Sequence, residues 1–138
     1  IAKFFRALLD DKPVTVYGDG SARRDFTYVH DIVDGLLAAL DRPMLCEIVN
    51  LGGSHTVTIL DLIHMIGKTV GRAPQIVFEP FQAGDVPATW ADPAKAERLL
   101  GMSPTTQLEE GLRLYHGWLK NFLEISGPKF PAMGSHAS

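Results

Sequence analysis

Apolar residues in the first 42 positions change their spacing several times along the chain. They recur at helical spacing over 1–9, a β-prone run follows over 14–17, and glycines stand at positions 18 and 20. Residues 24–29 are β-prone again, and the apolar positions of 31–40 return to helical spacing. The pattern predicts helix, strand, glycine turn, strand and helix in that order, with His30 or Asp31 near the start of the second helix.

The remainder of the chain carries clearer start and stop signals. One strand is predicted over 47–51 and another over 75–78, with a long loop over 79–89. Between the two strands, Thr58 and Asp61 form a weak capping box that opens an amphipathic helix, and Gly71 closes it. Strands and helices alternate throughout, which favours an α/β fold, α+β-like in detail, with short sheets and amphipathic helices.

Caps also mark two further helices. Asp92-Pro93 provides an N-cap with proline at the first helical position, and Gly101 stands where the C-cap belongs. Thr106 and Glu109 match the capping box ahead of the last helix. The predicted core stripe of that helix consists of Leu108, Leu112, Tyr115, Leu119 and Phe122.

Composition places the chain among ordinary globular proteins. Its 138 residues suit one domain, and 46% hydrophobic with 21% charged residues predicts a packed core. The net charge is −3 and the basic residues are scattered, which excludes the broad positive field of nucleic-acid binders. No apolar run reaches the roughly 18 residues that span a bilayer, so we expect no membrane segment and a cytoplasmic location.

The two ends and the single cysteine add three expectations. The chain opens directly on a helix without methionine, as a part of a longer protein would. Residues 127–138 are rich in Pro, Gly and Ser, which predicts a flexible tail, of a kind that expression vectors add, behind a folded portion at 1–126. Cys46 cannot form an intrachain disulfide, and its apolar neighbours predict a buried side chain.

Two short motifs are candidates for ligand binding. Gly18-Asp19-Gly20 lacks the third glycine and the following helix of a dinucleotide fingerprint, so a hairpin turn with positive φ is favoured over a ligand held against bare backbone. Arg24, beside Arg23 at the start of a strand, could grip a phosphate bidentately. Paired surface arginines followed by an aspartate, here Asp25, more often form a solvated salt bridge, and both interpretations stay open.

The sequence lacks the residues that metal binding, nucleophilic catalysis and phosphate binding by a P-loop require. The four histidines ahead of the tail, His30, His55, His64 and His116, have no carboxylate or cysteine at metal-ligand spacing, so no metal site is predicted. There is no serine in a nucleophile elbow and no Gly-Lys-Ser/Thr loop that would cradle a phosphate. The sequence therefore predicts no catalytic residue in this chain.

Three stretches, read in order, resemble a known family. They are Val16-Tyr-Gly-Asp-Gly20 continued by Arg24-Asp-Phe-Thr-Tyr-Val-His-Asp31, then Val49-Asn-Leu-Gly52, and finally Gly84-Asp-Val-Pro-Ala-Thr-Trp-Ala-Asp92. From residue 1 to about 125 the chain resembles the C-terminal part of NAD-dependent nucleotide-sugar epimerases and dehydratases, within the extended short-chain dehydrogenase/reductase superfamily. The third stretch is most similar to UDP-glucuronate 4-epimerases, less so to UDP-galactose 4-epimerases, and less again to dTDP-sugar dehydratases.

The resemblance implies roles for four residues. In such enzymes the segment matching Val16 and Tyr17 lies along the uracil ring, the arginine matching Arg24 pairs with the diphosphate, and the aspartate matching Asp85 lies near the ribose. Galactose epimerases place an arginine three residues before that aspartate, whereas this chain has Gln82, which agrees better with the glucuronate type. The resemblance thus implies a UDP-sugar as the ligand.

The family's catalytic parts are missing from the sequence. Neither a GxGxxG-type cofactor loop nor a Tyr-x-x-x-Lys pair occurs, so the resemblance implies no cofactor in this chain, NAD in a full-length parent, and no catalysis by this chain alone. In the family, the helix matching 31–41 and the strand matching 47–51 pack on the cofactor domain. We therefore expect an uncovered apolar surface that self-associates as a homodimer or oligomer.

Two alternatives to a UDP-sugar-binding portion of an epimerase stay open. The chain could be a self-associating interaction protein that binds no nucleotide, or a portion of a dTDP-sugar dehydratase.

Overall fold

The computed structural model describes residues 1–42, 46–53 and 56–126, and within these ranges the chain forms five helices and five strands. The helices are α1 (Ala2–Leu9), α2 (Val29–Leu40), α3 (Ile59–Val70), α4 (Ala94–Leu100) and α5 (Leu108–Ser126). The strands are β1 (Val14–Tyr17), β2 (Arg23–Asp25), β3 (Thr56–Thr58), β4 (Ile76–Glu79) and β5 (Ala88–Thr89). The predicted α/β class with short sheets is confirmed, whereas the tail predicted at 127–138 lies outside the described residues.

The strands form two small sheets. In the first, β1 runs parallel to β4, with Val14 opposite Ile76. In the second, β2 lies in the middle, antiparallel to β3 and parallel to β5, with Arg24 opposite Thr89. The hairpin predicted at 18–20 is therefore wrong, because β1 and β2 belong to different sheets. The turn nevertheless requires the positive φ that was expected, since Gly18 has a φ of 73° and the Phe81 ring occupies the place of a Cβ.

Three helices and the first strand enclose the core. Helix α3 lies between α1 and α5, and each buries the apolar face that the sequence predicts. The most deeply buried side chains are Phe5, Val14, Val16, Leu62, Ile63, Ile66 and Leu112. Leu112 and Leu119 of the predicted stripe on α5 are buried as expected, and His116 is buried on the same helix, which the pattern did not predict.

Three predicted cap residues, Thr58, Gly71 and Gly101, are confirmed, whereas α5 begins at Leu108 and Thr106 is therefore not the residue directly before it. The Thr58 hydroxyl accepts from the Asp61 backbone N–H at 3.0 Å, and Gly71 ends α3 in the left-handed conformation. Gly101 ends α4 in the same way. The start of α4 differs by one residue, since the N-cap is Pro93, although the Asp92 carboxylate accepts from the Ala94 N–H at 3.0 Å.

Two predicted strands are wrong in whole or in part. The strand expected over 24–29 ends at Asp25, and Val29 is already the first residue of α2. Residues 47–51 are described but form no strand, because no strand in the described part of the chain pairs with this segment. Ile48 is 84% exposed, and Cys46 is exposed rather than buried.

Candidate functional site

Arg24 and Asp85 meet across the second sheet. The Arg24 Nη2 atom lies 3.6 Å from Asp85 Oδ1, and the two side chains are 23% and 49% exposed. The middle strand β2 holds Arg24, whose Nη1 also donates to the Arg23 carbonyl at 2.8 Å. The loop between β4 and β5 holds Asp85, whose N–H donates to the Gln82 carbonyl at 3.2 Å. Two residues that lie 61 positions apart in the sequence are thus placed side by side.

The two arginines have different surroundings. Arg23 is bound to β3, because its Nε donates to the Thr56 hydroxyl at 2.9 Å and its Nη2 to the Thr56 carbonyl at 2.6 Å. Arg24 forms its ion pair with Asp85, not with Asp25, because strand alternation turns Arg24 and Asp25 to opposite faces of β2. A partly exposed pair of this kind contributes at most about 1 kcal/mol to stability, so its guanidinium can exchange partners at little cost.

Val16 and Tyr17 do not present themselves to a ligand in the same way. The Val16 side chain is 2% exposed and packs in the core, whereas Tyr17 is 47% exposed at the end of β1. Tyr17 lies opposite Glu79 in the first sheet, and the turn through Gly18 leads from there towards β2. Of the two residues, only Tyr17 offers a side chain at the surface, and Val16 can offer only its backbone.

A polar cavity of about 310 Å³ lies beside the ends of β2 and β5. It is lined by Asp25, Thr27, Asn50, Leu51, Gly52, Thr89, Trp90 and Ala91. The Asp25 Oδ2 atom accepts from the Ala91 N–H at 3.3 Å, while its Oδ1 atom is buried with no hydrogen-bond partner in the described structure. Sequence reasoning treated Asp25 only as an ion-pair partner of the arginines, and it overlooked this cavity.

Asp31 is the last residue of the first stretch that resembles the family, and its role is structural. Its side chain is 5% exposed, and its two oxygens accept from the Thr105 N–H at 3.2 Å and from the Thr106 N–H at 3.3 Å. The carboxylate of α2 thereby anchors the segment that leads into α5. Asp31 lies in the first turn of α2, near the cap as predicted, and its carboxylate also satisfies backbone donors of a distant segment, which the sequence did not predict.

Three of the five histidines, His30, His64 and His116, lie in the described part of the chain. Among the residues that the structure describes, no group of three or more His, Cys, Asp or Glu side chains is placed to hold a metal ion, and His55 and His136 lie outside these residues. His116 is buried, with its ring centroid 5.7 Å from that of Phe5. Burial lowers the pKa of the His116 imidazole below its ordinary value, and the nearby Lys120 charge lowers it further.

None of the helices within the described ranges is both long enough and apolar enough to cross a membrane.

Comparison with known proteins identifies the family. A family model described as GDP-mannose 4,6 dehydratase matches residues 1–115. The chain is 36% identical over 126 residues to a UDP-glucuronate 4-epimerase of Thermodesulfobacterium geofontis, covering 91% of this chain and 39% of that protein.

Solved structures agree with this result. The UDP-glucuronic acid 4-epimerase of Bacillus cereus, in complex with UDP-glucuronic acid and NAD, is 38% identical with a TM-score of 0.81, over 87% of this chain and 39% of that one. The UDP-glucose 4-epimerase of Thermotoga maritima, with UDP-glucose, is 32% identical with a TM-score of 0.82, over 87% and 38%.

This chain spans about two fifths of the length of these relatives, 39% of the Thermodesulfobacterium epimerase for example. The matched region begins at residue 1 of this chain and takes in β1, β2, α2 and the loop that holds Asp85. The chain therefore belongs to the GDP-mannose 4,6 dehydratase family of nucleotide-sugar epimerases and dehydratases, in the extended short-chain dehydrogenase/reductase superfamily, and corresponds to their C-terminal part.

Proposed function

We propose that residues 1–126 are the UDP-sugar-binding portion of an NAD-dependent epimerase, of the type that acts on UDP-glucuronate. The observation that carries the proposal is the contact between Arg24 and Asp85 at 3.6 Å, which joins a cation and a hydroxyl acceptor on one surface. Similarity to epimerases whose structures contain UDP-glucuronic acid or UDP-glucose supports the choice of ligand.

Each residue has a chemical role in this proposal. The planar guanidinium of Arg24 presents several N–H donors, which match the oxygens of a diphosphate better than a lysine would. Asp85 accepts from a ribose hydroxyl, and the exposed Tyr17 ring faces the uracil. Val16, whose side chain is buried, takes part through its backbone. Binding to the diphosphate would replace the modest ion pair between Arg24 and Asp85, so little stabilisation is lost on binding.

The residues of this chain do not fit NAD. A dinucleotide pyrophosphate rests on a helix N-terminus that follows a glycine-rich turn, whereas the Gly18 turn leads into strand β2. The fourth residues after the tyrosines are Ser21, Ile32 and Leu119, so no Tyr-x-x-x-Lys pair is present. We therefore propose that NAD and the acid–base residues belong to a part of the parent protein outside this chain, and that this chain alone does not catalyse epimerisation.

A titration with UDP tests the proposal. We expect UDP to shift the amide NMR signals around Tyr17, Arg24 and Asp85, with weak saturation because one portion of a larger cleft supplies only part of the contacts. dTDP in a parallel titration distinguishes a dehydratase parent, since it should bind less well than UDP if the epimerase assignment is right. Flat titrations at millimolar UDP would contradict the proposed ligand.

A second proposed property is self-association through α2. Its exposed apolar side chains include Leu36 and Leu37, each 54% exposed, and Leu40 at 82%, with Ile48 close by in sequence at 84%. Soluble monomers rarely present large contiguous apolar patches, so a homodimer or oligomer would cover this one.

Light scattering over a wide concentration range measures this association. Leu40→Glu should shift the chain towards monomer, while Leu114→Glu, on the exposed side of α5, should not. A monomeric wild-type chain at all concentrations would exclude self-association. Together with no UDP response, a dimer would favour the interaction-protein alternative. A cytoplasmic location also remains a proposal.

A further inference from the structure

The three stretches that carry the family resemblance converge on the polar cavity beside the ends of β2 and β5. Asp25 and Thr27 come from the first stretch, Asn50 to Gly52 from the second, and Thr89 to Ala91 from the third. A Cβ on Gly52 would lie 2.7 Å from that of Ala91, so only glycine allows the second stretch to approach the third this closely. Residues from distant parts of the chain thus build one cavity.

Asp25 is the residue of this cavity whose bonding is incomplete. Its Oδ2 atom accepts from the Ala91 N–H, and this bond ties the third stretch to β2. Its Oδ1 atom is buried without a partner in the described structure. A buried acceptor left without a hydrogen bond is unfavourable, and a carboxylate oxygen is among the strongest acceptors in proteins. A bound molecule with a donor group would satisfy this oxygen.

The lining indicates what that molecule is. The Asp25 carboxylate only accepts, the Asn50 amide donates and accepts, and the hydroxyls of Thr27 and Thr89 can do both. Trp90 adds an indole that is 67% exposed. Hydroxyl groups that need both donors and acceptors, attached to a ring with apolar C–H faces, are the features of a sugar.

The cavity also adjoins the surface proposed for the diphosphate. Thr89 lines the cavity and lies directly opposite Arg24 in the parallel pair of β2 and β5. The cavity lies at the carboxyl ends of these two strands, the position where ligands commonly bind in parallel sheets. Arg24 and Asp25 lie on opposite faces of β2, so a sugar attached to a diphosphate at Arg24 would reach Asp25 around the carboxyl end of this strand, where the cavity lies.

We propose that Asp25 is a specificity-determining residue that accepts a hydrogen bond from a hydroxyl of the sugar in the bound nucleotide sugar, and that Asn50, which lines the same cavity, also contacts this sugar. This inference rests on the proposed UDP-sugar function. It predicts that the sugar strengthens binding beyond UDP alone, and that this gain depends on Asp25.

The test compares UDP with UDP-glucuronate for wild type, Asp25→Asn and Asn50→Ala, by NMR titration of the whole chain. In Asp25→Asn the one remaining oxygen stays with the Ala91 N–H, so an NH₂ donor faces the cavity in place of an acceptor. We expect wild type to bind UDP-glucuronate about tenfold more tightly than UDP, the factor that about 1.4 kcal/mol produces. Asp25→Asn should erase most of this difference and leave the affinity for UDP unchanged.

Controls separate this role from a structural one. Glu124→Gln makes the same carboxylate-to-amide change at an exposed position of α5 and should alter neither affinity. Asn50→Ala leaves the bond between Asp25 and Ala91 intact, and it should weaken UDP-glucuronate binding selectively even if Asp25→Asn fails to fold.

The outcomes are distinct. If UDP binds but neither variant changes the preference for UDP-glucuronate, the role of Asp25 is refuted while the proposed function stands. An equal loss of affinity for both ligands in Asp25→Asn would show that Asp25 only supports the fold, and it also overturns the inference. Should wild type bind neither ligand, the proposed function fails and the inference fails with it.

Discussion

Replacing Asp31 with alanine should destabilise the fold far more than replacing Asp34, the other aspartate of the same helix. The Asp31 carboxylate is 5% exposed and accepts from the backbone N–H groups of Thr105 and Thr106, at 3.2 and 3.3 Å. A hydrogen bond to a charged group contributes roughly 1.5–3 kcal/mol, and an unsatisfied buried donor costs about 1–3 kcal/mol. Because the two bonds share one carboxylate and part of the loss is recovered by water, we expect a loss of about 2–4 kcal/mol.

Asp34 on the same helix provides the control. Its side chain is exposed, so Asp34→Ala should change the free energy of unfolding by less than about 0.5 kcal/mol. Asp31→Asn should fall between the two, because its single oxygen can satisfy one N–H while its NH₂ group faces the other donor.

Urea unfolding followed by circular dichroism measures these differences from the midpoints at a common slope. If Asp31→Ala is no less stable than Asp34→Ala, the reasoning that Asp31 anchors the segment ahead of α5 is refuted. Such a result would mean that the Thr105 and Thr106 donors are satisfied equally well by solvent.

Three further predictions follow from the core, a cap and a turn. Burial lowers the pKa of His116, so as the pH falls the unfolded chain binds this proton before the folded chain does. The contribution of a neutral His116 to the free energy of unfolding should therefore be fully present above about pH 6.5 and decrease at lower pH. Unfolding curves of His116→Gln at several pH values should lack this decrease. Thr58→Ala removes the acceptor for the Asp61 N–H and should cost about 1 kcal/mol in urea unfolding, whereas an equal midpoint would exclude a stabilising cap. Gly18→Ala forces a Cβ into the Phe81 ring at a φ of 73°, and it should lower the thermal midpoint; an unchanged midpoint would show that the turn relaxes freely.

Features that depend on local sequence are predicted well. Thr58 and Gly71 mark the two ends of α3 because the cap bonds join residues only a few positions apart. The stripe of Leu112 and Leu119 on α5 follows from helical periodicity in the same way. In these elements, the interactions that define the structure are made between residues that are close in the sequence.

Strand pairing is predicted less well because it depends on distant residues. The segment 47–51 has strand-like composition but pairs with no strand in the described part of the chain, and Cys46 beside it is exposed. The turn at Gly18 looks like a hairpin until β4 is seen to pair with β1. In both cases the local sequence favours a strand or a hairpin, but whether a strand pairs, and with which neighbour, depends on residues distant in the chain.

In the candidate site, too, individual residues could be predicted from the sequence, whereas contacts between distant residues could not. Arg24 and Asp85 were selected separately by resemblance, and the contact that joins them appears only in the structure. Asp25 was overlooked because an aspartate after two arginines suggests their ion-pair partner. Strand alternation instead turns its carboxylate to the face of β2 opposite Arg24, into a cavity that no local pattern describes.

The central claim, that the surface of Arg24 and Asp85 binds UDP, is tested most directly by comparing UDP affinity in Arg24→Gln and Arg113→Gln. Both variants remove an arginine from an ion pair with a carboxylate, but Arg113 pairs with Glu110 on α5, a helix that contributes no residue to the proposed UDP site. Loss of a charged hydrogen bond to the diphosphate should weaken UDP binding about tenfold or more in Arg24→Gln and leave Arg113→Gln like wild type. Equal affinities for UDP in all three proteins would contradict the claim.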